Sequence, residues 1–157
     1  MSKLRIGTAG IPASTKPRST ANAVKRLAEL GLRHMEIEFV RGVNMKEDTA
    51  QEIRALAEEH DISLTVHAPY YVNLNSAEPE KITASKERII QAARAGAWAG
   101  AKSVTFHAAY YHADDPEDVY DRVKHHMEDM LERLDQEGIA IRLSPETTGG
   151  PTQFGTL

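Results

Sequence analysis

Short runs in which apolar and polar residues alternate are separated along the chain by longer stretches in which apolar residues recur every three or four positions. The first kind predicts strands at Leu4-Arg5-Ile6, Met35 to Val40, Ile62 to Val66, Ser103 to Phe106 and Ile139 to Leu143. The second predicts four helices, built on Val24, Leu27 and Ala28, on Ile53, Leu56 and Ala57, on Ile82, Ile89 and Ala93, and on Val119, Val123, Met127, Met130 and Leu134. Gly31 and Gly138 stand where helix C-caps are expected, and Asp115-Pro116-Glu117-Asp118 is a start signal for the fourth helix.

Strict strand-helix alternation predicts right-handed βαβ units and a parallel sheet, either doubly wound or closed as a (β/α)₈ barrel. Side-chain parity favours the barrel. Ser63-Leu64-Thr65-Val66-His67 and Ser103-Val104-Thr105-Phe106-His107 share one order of small polar, apolar, small polar, apolar, histidine. Glu36 and Glu38 likewise oppose Met35, Ile37 and Phe39, and Arg142, Ser144 and Glu146 oppose Ile141 and Leu143. A central strand of a doubly wound sheet is apolar on both faces, whereas a barrel strand turns one polar face inward, toward a site at the C-terminal mouth.

Composition adds limits. With 157 residues, 41% hydrophobic, the chain is long enough for one domain with a core. It has no cysteine, so a metal would be held by histidine and carboxylate rather than thiolate. The N-terminus, Met1-Ser2-Lys3-Leu4-Arg5, lacks the apolar stretch of a secretory signal, and no run approaches the roughly 20 apolar residues needed to cross a bilayer, so a cytoplasmic protein without a membrane partner is expected. The formal charge of −4 leaves no basic footprint, so any claim about nucleic acid rests on a site and not on bulk charge.

The candidate chemistry lies at strand ends. His67, His107 and Glu146 follow one another at spacings of 40 and 39 residues, each with inward parity, and converge on one rim. Neutral imidazole with carboxylate suits zinc or a similar divalent ion, and catalytic groups of such barrels come from these positions.

Longer segments carry a resemblance. Val66-His67-Ala68-Pro69-Tyr70-Tyr71-Val72-Asn73-Leu74-Asn75-Ser76 and Pro145-Glu146-Thr147-Thr148-Gly149-Gly150-Pro151-Thr152-Gln153-Phe154-Gly155 resemble the endonuclease IV family, especially its archaeal-type branch. Ile6 to Pro12 and Met35 to Gly42 agree with it. The resemblance implies a TIM barrel of which residues 1–157 form a single domain, the N-terminal part with about the first four and a half βα units, ending after strand five. It implies a metal-dependent hydrolase of the deoxyribonuclease IV type, cleaving double-stranded DNA at abasic sites in base excision repair. In that family three zinc ions sit at the mouth and a zinc-activated hydroxide attacks the phosphate. By resemblance His67 and His107 would ligate one zinc, and Glu146 would bridge two and serve catalysis. The ligands from strands six to eight are absent from the sequence, so at most a partial site is expected, in a fragment inactive alone. The chain departs from the family after His107, where Ala108-Ala109 stands in place of Pro-Gly.

The resemblance also gives Tyr70 and Tyr71 a DNA-binding role on a loop that probes the minor groove and fills the gap left by a flipped nucleotide. Arg41 and His112 are further candidate DNA contacts, and Lys16 and Arg18 also fall on loops after strands. His125 and His126 read as solvated or helix-flank residues, His34 and His60 as remote from the chemistry, and Trp98 as a packing residue. Glu36, Glu38, Arg5 and Arg142 are expected to neutralise one another inside the barrel. Two other readings compete: a sugar isomerase or epimerase of the same superfamily, and a non-catalytic fragment or binding module, whose unpaired sheet edges are expected to promote self-association or pairing with a complementary fragment.

Overall fold

The computed structural model describes residues 4–155; Met1 to Lys3, within the segment read as lacking a secretory signal, and Thr156 and Leu157 lie outside them. Strands β1 (Gly7–Ala9), β2 (His34–Glu38), β3 (Ser63–His67), β4 (Ser103–Phe106) and β5 (Arg142–Pro145) alternate with helices α1 (Thr20–Glu29), α2 (Glu47–Glu59), α3 (Pro79–Trp98) and α4 (Pro116–Gln136). The strands are parallel, in the order β1-β2-β3-β4-β5. The result is the arc of a (β/α)₈ barrel, as the alternation and parity predict.

The helices begin and end where local chemistry directs. Ser19 Oγ accepts from the Asn22 amide at α1, and Asp115 accepts from the Glu117 amide at α4, with Pro116 in the first turn. At the far end Gly31 takes φ 72°, and Leu32 N donates back to Leu27 O at 2.9 Å. Asp61 does the same after α2 at φ 52°, an αL position that Asp tolerates better than most residues.

Met35, Leu64, Val66, Val104 and Phe106 are buried between the sheet and the helices, against Leu27, Ile53, Ile89, Ile90, Met130 and Leu134. Each such side chain, fully buried, stabilises by about 1.5–3 kcal/mol. The alternate residues turn inward. There Glu36 Oε2 accepts from Thr105 Oγ1 at 3.1 Å and Thr65 Oγ1 at 3.4 Å.

Two strands are shifted from their expected places. β1 is Gly7–Ala9 and not Leu4-Arg5-Ile6, whose Leu4 and Ile6 are 88% and 65% exposed. The small residues of β1 permit a close approach to β2, since a Cβ on Gly7 would lie 1.7 Å from the His34 carbonyl oxygen. Arg5 therefore lies before the sheet and not among the interior carboxylates; it pairs with Asp61 at 2.7 Å. β5 begins at Arg142, which is exposed, so neither arginine neutralises Glu36 or Glu38.

Candidate metal centre

His67 ends β3, and His107 and Glu146 follow β4 and β5 by one residue. The ladder is staggered: His67 pairs in register with Thr105, not His107, so the two histidines occupy successive inward rungs. Their side chains still converge. Glu146 Oε2 lies 3.2 Å from His67 Nε2 and 3.0 Å from His107 Nε2, and one ligand atom from each residue falls within 4.8 Å of the others.

This arrangement fits a divalent ion. His67 Nδ1 is 2.7 Å from the Ala68 carbonyl oxygen, so in the neutral ring Nδ1 carries the hydrogen and Nε2 presents a lone pair. Facing it is an oxygen of Glu146, which when ionised also only accepts. Two lone pairs at that distance repel unless a proton or a cation lies between them. Atoms bonded tetrahedrally to one zinc ion at about 2.0–2.1 Å lie about 3.3 Å apart, close to the spacing observed. The donation from His67 to Ala68 also matches the outer support that metal-bound imidazoles usually have.

Tyr70 stands over the pair, its ring centroid 5.6 Å from His67 and 6.0 Å from His107. Tyr71 is 64% exposed, and its carbonyl accepts from Arg88 of α3. Of the other candidate DNA contacts, Arg41 is exposed on the loop after β2, and His112 is on the loop after β4 at φ 54° with Nε2 3.2 Å from Asn73 Nδ2. The structure does not bring these two to the His67 cluster. Arg18 lines a cleft of about 290 Å³ with Gly10, Ile11, Glu36 and Glu38.

Glu38 shares the rung of His67, and its carboxyl is held above the ordinary range by burial first, then by a hydrogen bond with Glu36. His34 is no bystander before the strand; it opens β2 with Nδ1 2.9 Å from Ser63 Oγ. His126 takes the helix-flank place: its side chain is 19% exposed, and its Nδ1 is buried without a hydrogen bond. Ala108 and Ala109 are buried and tied on both sides, their carbonyls accepting from Leu74 N at 2.9 Å and from Phe154 N at 3.0 Å.

A family model described as a xylose isomerase-like TIM barrel matches residues 24–157. The chain belongs to this family. Within the family's fold it is 42% identical over 154 residues to the uncharacterized protein MJ0133 of Methanocaldococcus jannaschii, covering 98% of this chain and 55% of that one. Endonuclease IV from Thermus thermophilus superposes with a TM-score of 0.70 at 24% identity, covering 94% of this chain and 54% of that one. The 3-keto-D-glucoside 4-epimerase of E. coli superposes nearly as well, at 0.69 and 18% identity over 96% of this chain and 58% of that one. The chain therefore spans about half the length of these relatives. The fold is thus shared by an endonuclease and by an epimerase. Among the described residues no helix is long and apolar enough to cross a membrane.

Sequence reasoning located the trio but missed Asn75, Asp114 and Arg122, which join the loops after β3 and β4. No spacing rule connects residues on two different loops. The only local sign is an arginine in the second turn of α4, seven residues after Asp115.

Proposed function

We propose that the chain is the N-terminal part of a zinc-dependent enzyme that hydrolyses the DNA backbone at abasic sites. The observation that carries this reading is the trio His67, His107 and Glu146, whose ligand atoms converge with spacings that a single cation fits, set beneath a rim bearing Tyr70 and Tyr71.

His67 and His107 supply nitrogen ligands and Glu146 a carboxylate ligand. Zinc held by these three residues would supply Lewis acidity toward a phosphate oxygen and a lowered pKa for bound water. Ala68 fixes the ring of His67 so that Nε2 faces the mouth. Tyr71, exposed and held through its backbone by Arg88, offers a flat face that stacks in the gap of a flipped nucleotide. Arg41 and His112 contact phosphates farther out along the duplex.

A second reading has its own support. Glu38 brings a carboxyl group to the rung of His67 and Glu36 one to the rung of Thr65 beneath it, where they would disfavour a phosphate and suit the hydroxyls of a small sugar. Epimerisation of a keto sugar is the reaction class that follows.

The test is incision of a duplex carrying one synthetic abasic site, with and without chelator, beside an epimerisation assay on a keto sugar. Two proteins are compared: the 157-residue chain, and the same chain completed with the portion of the Methanocaldococcus relative that it does not cover. The nuclease reading expects chelator-sensitive incision by the completed barrel only. Sugar turnover without incision would replace it by the second reading.

A further inference from the structure

The β3-β4 ladder ends early. Its register covers Val66↔Val104 and His67↔Thr105, and the last bond along it, from Ala68 N to Thr105 O at 2.8 Å, stops two residues short of His107. Past it the two loops leaving these strands meet where Leu74 N donates to Ala108 O at 2.9 Å, and one buried side chain braces that meeting.

Asn75 lies on the β3–α3 loop and is 4% exposed. Its amide is fully engaged. Nδ2 donates to the Tyr110 carbonyl at 3.0 Å and to Asp114 Oδ2 at 3.0 Å, both on the β4–α4 loop. Oδ1 accepts from Arg122 of α4 at 2.6 Å, and the same Arg122 nitrogen donates to Asp114 Oδ2 at 2.8 Å, which closes a ring of three side chains. The hydrogen bond from Asn75, followed by that from Arg122, holds the Asp114 carboxyl below its usual range, so it is ionised at neutral pH. Only a side chain that donates twice and accepts once fills this position; turned over, the amide would set N–H against N–H. Asn73 adds to the join, its Oδ1 accepting from the amides of Asn75 at 3.0 Å and Tyr110 at 3.3 Å.

We propose that Asn75, clasped by Asp114 and Arg122, is a positioning residue that sets the separation of His67 and His107 by fastening the β3–α3 loop to the β4–α4 loop. The proposal rests on reading the trio as a metal centre. It acts through short backbone links, since Tyr110 is three residues from His107, and Leu74, beside Asn75, donates to Ala108 O. Metal ligands tolerate little displacement, and loss of an outer support commonly lowers metal affinity about 10- to 100-fold.

The test uses Asn75→Asp, which keeps size and the acceptor for Arg122 but removes both donors and sets a carboxylate against Asp114. Co(II) serves as the probe, through its visible absorption. Asn75→Asp is expected to weaken Co(II) binding at least about tenfold. In the metal-free protein, amide exchange at Leu74 and Tyr110 is expected to quicken in Asn75→Asp, while Ala23 of α1 is unchanged. Unchanged Co(II) affinity in Asn75→Asp overturns the proposal, as does weakened Co(II) binding with exchange at Leu74 and Tyr110 unaltered. A parent chain that binds no Co(II) overturns the metal reading instead; amide exchange, which needs no metal, then decides whether Asn75 fastens the loops.

Discussion

The ring of His67 is tied to its own neighbour: Nδ1 lies 2.7 Å from the carbonyl oxygen of Ala68. That contact separates two functions of one imidazole, Nδ1 holding the ring in place and Nε2 facing Glu146. An asparagine reaches the first position but not the second. His67→Asn is therefore expected to keep the metal-free stability within about 1 kcal/mol of the parent, since the donor to Ala68 is retained, and to lose zinc binding. Urea unfolding and a zinc titration of the same sample check it; a variant that still binds zinc like the parent shows that Nε2 is not a ligand.

Tyr71 and Tyr70 should separate in the same way. Tyr71 touches neither imidazole, so Tyr71→Ala is expected to weaken binding of the completed barrel to an abasic duplex by about 1–3 kcal/mol, the range for an aromatic stacking on a base, with zinc affinity unchanged. Tyr70 packs over both imidazoles, so Tyr70→Ala is expected to disturb zinc binding as well. Equal duplex affinity for Tyr71→Ala and the parent would remove Tyr71 from the interface.

The parity of the strands was legible because helix-facing positions must be apolar and mouth-facing positions need not be, and the trio inherited its inward direction from that alternation. The place of β1 was not legible. Leu4-Arg5-Ile6 has the side chains of a strand, but the sheet uses Gly7-Thr8-Ala9, where closeness to β2 selects small residues over β-formers. Nor did sequence spacing reveal the Ala68 carbonyl or the Asn75 ring, which exist only once loops meet. Helix periodicity placed His126 between the apolar stripe and water, and it sits there, 19% exposed with Nδ1 4.0 Å from Asp129 Oδ2; spacing did not reveal that this nitrogen would be buried.

Gly96 of α3 approaches β3 closely: a Cβ there would lie 2.9 Å from Val66 Cγ2 and 3.0 Å from Ile141 Cδ1. In Gly96→Ala two effects compete, a gain of about 1 kcal/mol in helix propensity and a cost of about 1–3 kcal/mol for overpacking. The overpacking wins, and a net loss of about 1 kcal/mol is expected from the denaturation midpoint. A stabilised variant would show that the helix moves away from the sheet without cost.

His126 and His34 are both held below the ordinary histidine value of 6.5, in each case chiefly by burial; Lys86 and His125 lower His126 further, against Asp129. A folded pKa below the unfolded one means that the unfolded chain binds more protons, so stability rises with pH. This contribution is complete above the unfolded value and is lost as pH falls below it, through the folded value. The urea midpoint, measured with chelator present, is expected to drop between about pH 7 and pH 5, and His126→Gln to flatten the drop. Parallel curves for the two proteins would show that His126 titrates alike in both states.

The trio itself is tested most directly by zinc titration of the 157-residue chain against a competing chromophoric chelator. One ion per chain is expected, with binding lost in His67→Ala, His107→Ala and Glu146→Ala, each measured separately, and retained when His125 and His126 are both replaced by alanine. Binding that survives all three single substitutions, or that disappears with His125 and His126, would contradict a metal centre at His67, His107 and Glu146.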